Sequence, residues 1–308
     1  MIRSLFALGL VVCLIAGCRL DDDGPIGPVI TLRPTVELLA DDDRFSILEE
    51  VLNVSGLDSA LLQAGAFTIL APTDRAFSES GLDLNLLLDS TFANNLVRYH
   101  LLLNTATLRS SLSEGQFYLP SGNVQTPNGQ AVSLFISRTG ANLRINDTAN
   151  FIDEEVIGLN GVIQPIDAVL TPPTVADLIN QNELLSEFAA VIDGATPLDD
   201  GRTIADSLAS PTALFTAFAP LNDDVDDNLG YTAGQLREVA LYHLVGGRNT
   251  RFRDFPGVLT TLQGDQLLFS DRLVRTSNPQ SLSLQFEDIQ ATNGILHLVS
   301  GLLLPEGL

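Results

Sequence analysis

Three histidines serve the whole 308-residue chain: His100, His243 and His297. Imidazole is the usual general base and metal ligand near neutral pH, so their spacing decides what chemistry is open. No second histidine lies three to five residues from any of them, which removes a zinc site of ordinary spacing. The chain has no Gly-x-Ser-x-Gly elbow, no phosphate-cradling glycine loop and no dinucleotide fingerprint. Carboxylates are abundant, so pairs of them carry no information about a hydrolytic cleft. One acidic stretch, with Asp224, Asp226 and Asn228 alternating, begins like a calcium loop. It then has Leu229 where the turn glycine belongs and Gln235 where the bidentate glutamate belongs, so it fails as an EF-hand. No catalytic, cofactor-binding or metal-binding residue is assigned, no cofactor is called for, and an enzyme is not expected.

Charge narrows the partners. Sixteen basic residues, all arginine, face 38 acidic ones for a formal net charge of −22. Such a surface repels phosphate backbones, so nucleic acid is excluded, and charge attraction to an anionic membrane fails for the same reason. A solvated surface suits this acidity; an affinity for cations is the other reading. The 45% hydrophobic content is enough for a folded protein, and the length suggests two domains.

Both cysteines, Cys13 and Cys18, fall in the first eighteen residues, so no disulfide framework exists. Arg3 followed by the apolar run Leu5 to Ile15 reads as a signal segment, too short to span a bilayer. Ile15-Ala16-Gly17-Cys18 then resembles the lipobox of bacterial lipoproteins. That resemblance implies cleavage after residue 17 and lipid attachment at Cys18, which places the chain on a membrane through the lipid and leaves no free thiol. Residues 18–33 hold Asp21-Asp22-Asp23 and several Gly and Pro, and read as a flexible acidic tether. The acidic triplet resembles the export signal of surface-exposed lipoproteins in some Gram-negative bacteria. It favours the outer face of the outer membrane over a periplasm-facing position, and a plain polar spacer is the other reading.

The remainder repeats itself. Phe67-Thr68-Ile69-Leu70-Ala71-Pro72-Thr73-Asp74 returns as Phe215-Thr216-Ala217-Phe218-Ala219-Pro220-Leu221-Asn222, Tyr99-His100 as Tyr242-His243, and Asn160-Gly161-Val162-Ile163 as Asn293-Gly294-Ile295-Leu296. The matches keep their order at a spacing of about 140 residues, which indicates a tandem duplication. Thr171-Pro172-Pro173-Thr174 marks the junction, giving domains at 34–172 and 173–308, with Thr174 placed to cap a helix. Within each unit the helical period comes first and the strand period second, an α+β domain made twice. Phe45, Leu48 and Leu52 predict a helix ended by Gly56; Phe67 to Ala71 predicts a strand broken by Pro72; Thr73 or Asp74 can cap the helix that follows. Phe92, Leu96, Tyr99 and Leu103 predict one face of a later helix. Val132, Leu134 and Ile136, then Leu143 and Ile145, and in the second unit Leu282, Leu284 and Phe286, predict strands. Asn128-Gly129, Asn160-Gly161 and Asn293-Gly294 predict hairpin turns.

These repeated segments resemble the signatures of fasciclin (FAS1) domains: the apolar strand running into Ala-Pro-Thr-Asp, the central Tyr-His pair, and Asn-Gly-Val-Ile with the residues after it. The second unit departs at Leu221, where the family has threonine, and the first at Gln164, where it often has the histidine kept as His297. The resemblance implies a wedge or sandwich of twisted strands with helices packed around it. It also implies a role outside the cytoplasm in adhesion, binding other cell-surface or matrix molecules, protein or glycan; some relatives instead carry a small apolar ligand in a groove. Thr73, Asp74, Tyr99, His100, Asn222, Tyr242, His243 and His297 are the motif residues, open to a structural or an adhesive role. For Tyr99-His100 and Tyr242-His243 the helical pattern favours buried struts over a contact surface.

Changing Cys18 to Ser should release the protein from membranes and stop processing after Gly17; fractionation and mass spectrometry of the mature N-terminus check it.

Overall fold

The computed structural model describes residues 32–63, 65–123, 126–225 and 230–308. The expected signal segment, Cys18 and most of the tether lie outside these residues, as do Asp226 and Asn228. From Arg33 onward the chain forms one compact unit.

The first repeat runs through helices α1 (Thr35–Ala40), α2 (Ser46–Ser55) and α3 (Asp58–Gln63) into strand β1 (Phe67–Pro72). Helices α4 (Asp74–Glu79), α5 (Leu84–Leu87) and α6 (Ser90–Tyr99) follow. Strands β2 (Leu101–Leu103), β3 (Gly115–Pro120), β4 (Ser133–Thr139), β5 (Asn142–Ile145), β6 (Ala149–Asn150), β7 (Val156–Ile157) and β8 (Gly161–Ile166) complete it. The second repeat has α7 (Val175–Asn180), α8 (Ser186–Asp193), α9 (Ile204–Leu208), β9 (Phe215–Pro220), α10 (Ala233–Tyr242) and β10 (Leu244–Gly246). It ends with β11 (Val258–Thr260), β12 (Gln266–Ser270), β13 (Leu273–Arg275), β14 (Ser281–Ala291) and β15 (Gly294–Val299).

Each repeat is organised on one parallel pair. β1 lies beside β8 in the order β2-β1-β8-β7, and β9 beside β15 in the order β10-β9-β15-β14-β13-β12-β11. All four strands of these pairs are buried along their whole length, as parallel strands covered on both faces must be. Alternate residues serve opposite layers. Phe67, Ile69 and Ala71 join the helix-side core with Phe45, Leu48 and Leu96, while Leu70 joins the sheet-side core with Tyr99, Leu134 and Ile145. In the second repeat Phe215 and Ala217 face the helices and Phe218 the sheet.

Local signals agree with most of the expected elements. Gly56 ends α2 in the left-handed conformation at φ +69°, and Thr174 caps α7 in a reciprocal box with Asp177. Pro72 does not cut β1 short; it is the last residue of the strand, opposite Ile166. Leu103 is not on a helix. α6 stops at Tyr99 because the His100 carbonyl accepts the Leu70 amide (2.8 Å) and the next residues pair with β1 as β2, leaving Leu103 exposed. Phe286 is half exposed, because register shifts on either side of it in β14 turn Leu284 and Ile289 inward instead. Phe135, between Leu134 and Ile136, is buried as well, so β4 is covered on both faces rather than alternating.

The Asn-Gly dipeptides do more than turn the chain. Asn128-Gly129 sits in a turn inside the β3–β4 connection, with Gly129 at φ +67° and its amide on the Thr126 carbonyl (3.0 Å). Asn160 accepts the amide and hydroxyl of Thr35 (both 3.0 Å) and donates to the Leu61 carbonyl (2.8 Å). Asn293, fully buried, accepts the Val175 amide and donates to the Leu208 and Ser210 carbonyls, each at 2.8 Å. These side chains fasten the opening helix of each repeat to its parallel pair. Gly161 and Gly294 have no positive φ; they are required by close approach. A Cβ on Gly161 would lie 2.4 Å from the Phe67 carbonyl oxygen, and one on Gly294 2.4 Å from that of Phe215.

Gly161→Ala and Gly294→Ala should each destabilise the protein by about 1–3 kcal/mol, the usual range for forced overpacking, measured by urea unfolding.

Candidate functional site

Helix α6 is capped by Asp89, which accepts the Phe92 amide (2.8 Å), and it delivers Tyr99 and His100 into the interior. The Tyr99 hydroxyl donates to the Ser133 carbonyl (3.0 Å) and accepts from the Asn146 side-chain amide (2.7 Å); burial pushes its ionisation up. The His100 Nε2 accepts the Leu170 amide (3.0 Å), so its proton is on Nδ1, which donates to the Leu96 carbonyl (2.9 Å). α10 repeats the arrangement. The Tyr242 hydroxyl donates to the Gln266 carbonyl (3.2 Å) and accepts the Ser277 amide (3.1 Å). The His243 Nε2 accepts the Leu303 amide (2.9 Å), and its Nδ1 donates to the Phe218 carbonyl. His100 is 1% exposed and His243 0%, so neither imidazole is open to a partner in this conformation.

Thr73 and Asp74 divide the capping work. Thr73 is the N-cap of α4, accepting the Ala76 amide (3.3 Å), while the Asp74 carboxylate crosses to α2 and accepts the Ser46 hydroxyl (2.6 Å) and Ile47 amide (2.8 Å). Asn222 does the same for the second repeat, accepting the Glu187 amide (3.0 Å) and donating to the Glu183 carbonyl (2.8 Å) and Ser186 hydroxyl (2.9 Å). Leu221 has no side-chain oxygen for the cap, and the helix of the first repeat shrinks there to a single tight turn, Asn222–Asp224.

Gln164 and His297 occupy matching places on β8 and β15 and make the same bond. The Gln164 Nε2 donates to the Thr107 carbonyl (3.0 Å), and the His297 Nε2 to the Thr250 carbonyl (3.1 Å). His297 then carries its lone pair on Nδ1, which accepts the Asp288 amide (3.3 Å). Their neighbours differ. His297 stacks on Phe218 and meets Phe255. Around Gln164 stand Arg109, whose Nε donates to its Oε1 (2.9 Å), and Glu155, which accepts from its Nε2 (2.8 Å). Nothing in the local sequence singles out Arg109 or Glu155, because their partner lies 55 and 9 residues away in the chain.

The fasciclin domain model matches this chain twice, over residues 43–172 and 178–305. The chain belongs to the fasciclin domain family. Human periostin is 27% identical over 263 residues, covering 81% of this chain and 29% of periostin. Human stabilin-1 is 24% identical over 291 residues, covering 81% of this chain and 10% of stabilin-1. Protein sll1483 of Synechocystis is 31% identical over 140 residues, covering 45% of this chain and 73% of that protein. This fasciclin chain therefore spans less than a third of periostin's length. A solved FAS1 domain pair from the insect cell adhesion molecule fasciclin I superposes with a TM-score of 0.48 at 18% identity, covering 88% of this chain and 96% of that one.

The two fasciclin repeats meet along a hydrogen-bonded seam. The Gln290 amide donates to the Ser133 hydroxyl (2.9 Å), the Asn182 side chain to the Tyr118 hydroxyl (3.0 Å), and the Asn128 side-chain amide to Gln290 Oε1 (3.2 Å). A cleft of about 440 Å³ opens there, lined by Tyr118 and Ser133 from the first repeat and Arg251, Arg253, Asp288 and Gln290 from the second. A second cleft of about 190 Å³ lies within the first fasciclin repeat beside Arg109 and Arg138. Among the described residues no cluster of three or more His, Cys, Asp or Glu is placed to hold a metal ion, and no helix is long and apolar enough to cross a membrane.

Burial holds His100, His243 and His297 down at about 4, against an ordinary value of 6.5. Between those values the unfolded chain binds more protons than the folded one. The stability contributed by the neutral imidazoles is thus complete above pH 6.5 and is lost as pH falls towards 4. His100→Ala and His243→Ala should each cost about 1–3 kcal/mol by stranding the Leu170 or Leu303 amide. Each should also flatten the decline in melting temperature between pH 6.5 and 4, followed by calorimetry against the parent.

Proposed function

We propose that this protein is a lipid-anchored component of the cell envelope, held by Cys18, that mediates adhesion by binding other cell-surface or matrix molecules through its fasciclin domains. The observation that carries this reading is the tandem match to the fasciclin domain over both halves of the chain, shared with periostin and stabilin-1. The interior supports it. The motif residues Thr73, Asp74, Tyr99, His100, Asn222, Tyr242, His243 and His297 are engaged in capping or strut bonds, so recognition falls to the exposed loops and clefts. A surface carrying most of a −22 charge resists aggregation, which suits a molecule displayed on a cell. The acidic triplet after Cys18 favours display on the outer face of the outer membrane.

The alternative, a carrier of a small apolar ligand, needs a larger apolar chamber. The apolar cleft between α2 and α5, lined by Ile47, Val51, Leu87 and Leu88, is about 200 Å³, below the roughly 300 Å³ where small-molecule sites begin.

Purified protein coated on a surface should retain cells of the producing organism well above an albumin-coated control. Retention no greater than the control, together with lipid or pigment extracted from the purified protein, would replace adhesion by carriage.

A further inference from the structure

The corner of the first repeat beside Gln164 differs from its counterpart in the second in a way the fold does not require. Arg109 and Phe252 occupy equivalent places. The Arg109 amide donates to Glu155 (3.0 Å), and the Phe252 amide to Asp288 (2.8 Å). In the second repeat Phe252 closes the corner against Phe255 at 5.8 Å between ring centres. The first repeat instead keeps a half-buried guanidinium there, in a chain with only 16 basic residues.

That guanidinium is held without a carboxylate. Arg109 donates through Nε to Gln164 (2.9 Å) and through Nη2 to the Ile152 carbonyl (2.8 Å), and it lies 5.4 Å over the Phe151 ring. Arg138 is next to it, donating through Nη1 to the Arg109 carbonyl (2.9 Å) and the Leu112 carbonyl. Its single ion pair among the described residues is a long one, 3.6 Å to the exposed Glu114. Arg109 has no ion pair among them. Nη1 of Arg109 and Nη2 of Arg138 make no hydrogen bond to the described residues. Both side chains line the cleft of about 190 Å³, together with Ser110, Asn142, Asn150 and Phe151, and no described Asp or Glu lines it. Two positive charges in one recess repel each other, and an oxyanion between them removes that repulsion and accepts from both forks.

Size and charge select the ligand. The cleft is smaller than a whole small-molecule site, so it takes one group of a larger molecule. A protein of −22 repels a dense polyanion at long range, which leaves a single carboxylate in an otherwise neutral ligand. The hydroxyl of Ser110, the side-chain amide of Asn142 and the side-chain oxygen of Asn150, whose NH2 is held by Asp167 (2.8 Å), suit the hydroxyls of a sugar. We propose that the Arg109–Arg138 cleft binds a uronic-acid sugar, carried as an end group or sparse unit of a glycan.

This names a partner chemistry for the adhesion reading, and it is tested without cells, so that its failure leaves surface retention to be judged separately. The folded protein is titrated with glucuronate, and with glucose, acetate and sulfate as comparators, by NMR or calorimetry. Glucuronate should bind, glucose should not, and acetate and sulfate should bind about tenfold more weakly. Arg138→Gln should weaken glucuronate about tenfold or more, and so should Arg109→Phe, which installs the second repeat's residue and also lowers the melting temperature by stranding the Gln164 side-chain oxygen. Raising salt from about 0.05 to 0.5 M should weaken it further. Unchanged affinity in either variant, measured well below its melting temperature, overturns the site. Glucose binding as well as glucuronate overturns the charge argument, and acetate or sulfate binding as tightly overturns the sugar.

Discussion

The structure depends on two strands meeting side by side in parallel although they are separated by most of a repeat. β1 pairs with β8 from Phe67↔Gly161 to Pro72↔Ile166, and β9 with β15 from Phe215↔Gly294 to Pro220↔Val299. Closing so long a loop costs more than a local hairpin, but the cost grows only logarithmically with length. What sets the register is the contact at its first rung, where backbone approaches so closely that only glycine fits. The asparagine before it then ties in the opening helix. Every other element has its place relative to this pair: helices on the Phe67, Ile69 and Ala71 face, the sheet on the Leu70 face, and the Tyr-His helix against its end.

Comparing the repeats separates what the fold demands from what it tolerates. Asp74 and Asn222 differ in charge yet cross to the start of α2 and α8 respectively, because that position needs an acceptor for an amide and not a charge. Gln164 and His297 differ in shape yet reach equivalent threonine carbonyls, Thr107 and Thr250. Leu221, by contrast, cannot do what Thr73 does, and the local helix is lost. The Arg109 corner follows a third pattern, in which the second repeat packs an aromatic ring where the first has an arginine.

Much of this was legible from residue order. The duplication, the helix-then-strand arrangement, the Gly56 and Thr174 caps and the inward Tyr99 and Tyr242 all follow from local spacing. Where local spacing failed, a distant partner was responsible. Leu103 continues a helical period, but pairing with β1 overrides it. Phe286 continues an alternation that two register shifts in β14 reverse. Asn160-Gly161 does close the β7–β8 hairpin as its composition predicts, but its glycine also answers to Phe67 and its asparagine to Thr35, contacts that no window of sequence contains. The arginine cleft was invisible for the same reason: Arg109, Arg138 and Gln164 come from three separate stretches of chain.

Ser133 joins both repeats. Its carbonyl accepts the Tyr99 hydroxyl from the core of the first, and its hydroxyl accepts the Gln290 amide from the closing hairpin of the second. With Asn182 bonded to Tyr118 and Asn128 to Gln290, the seam is a load path running beside the covalent connection. Tension applied between the repeats is therefore shared between the proline junction and these bonds. The pair resists stretching as one mechanical element and does not extend as two beads on a string.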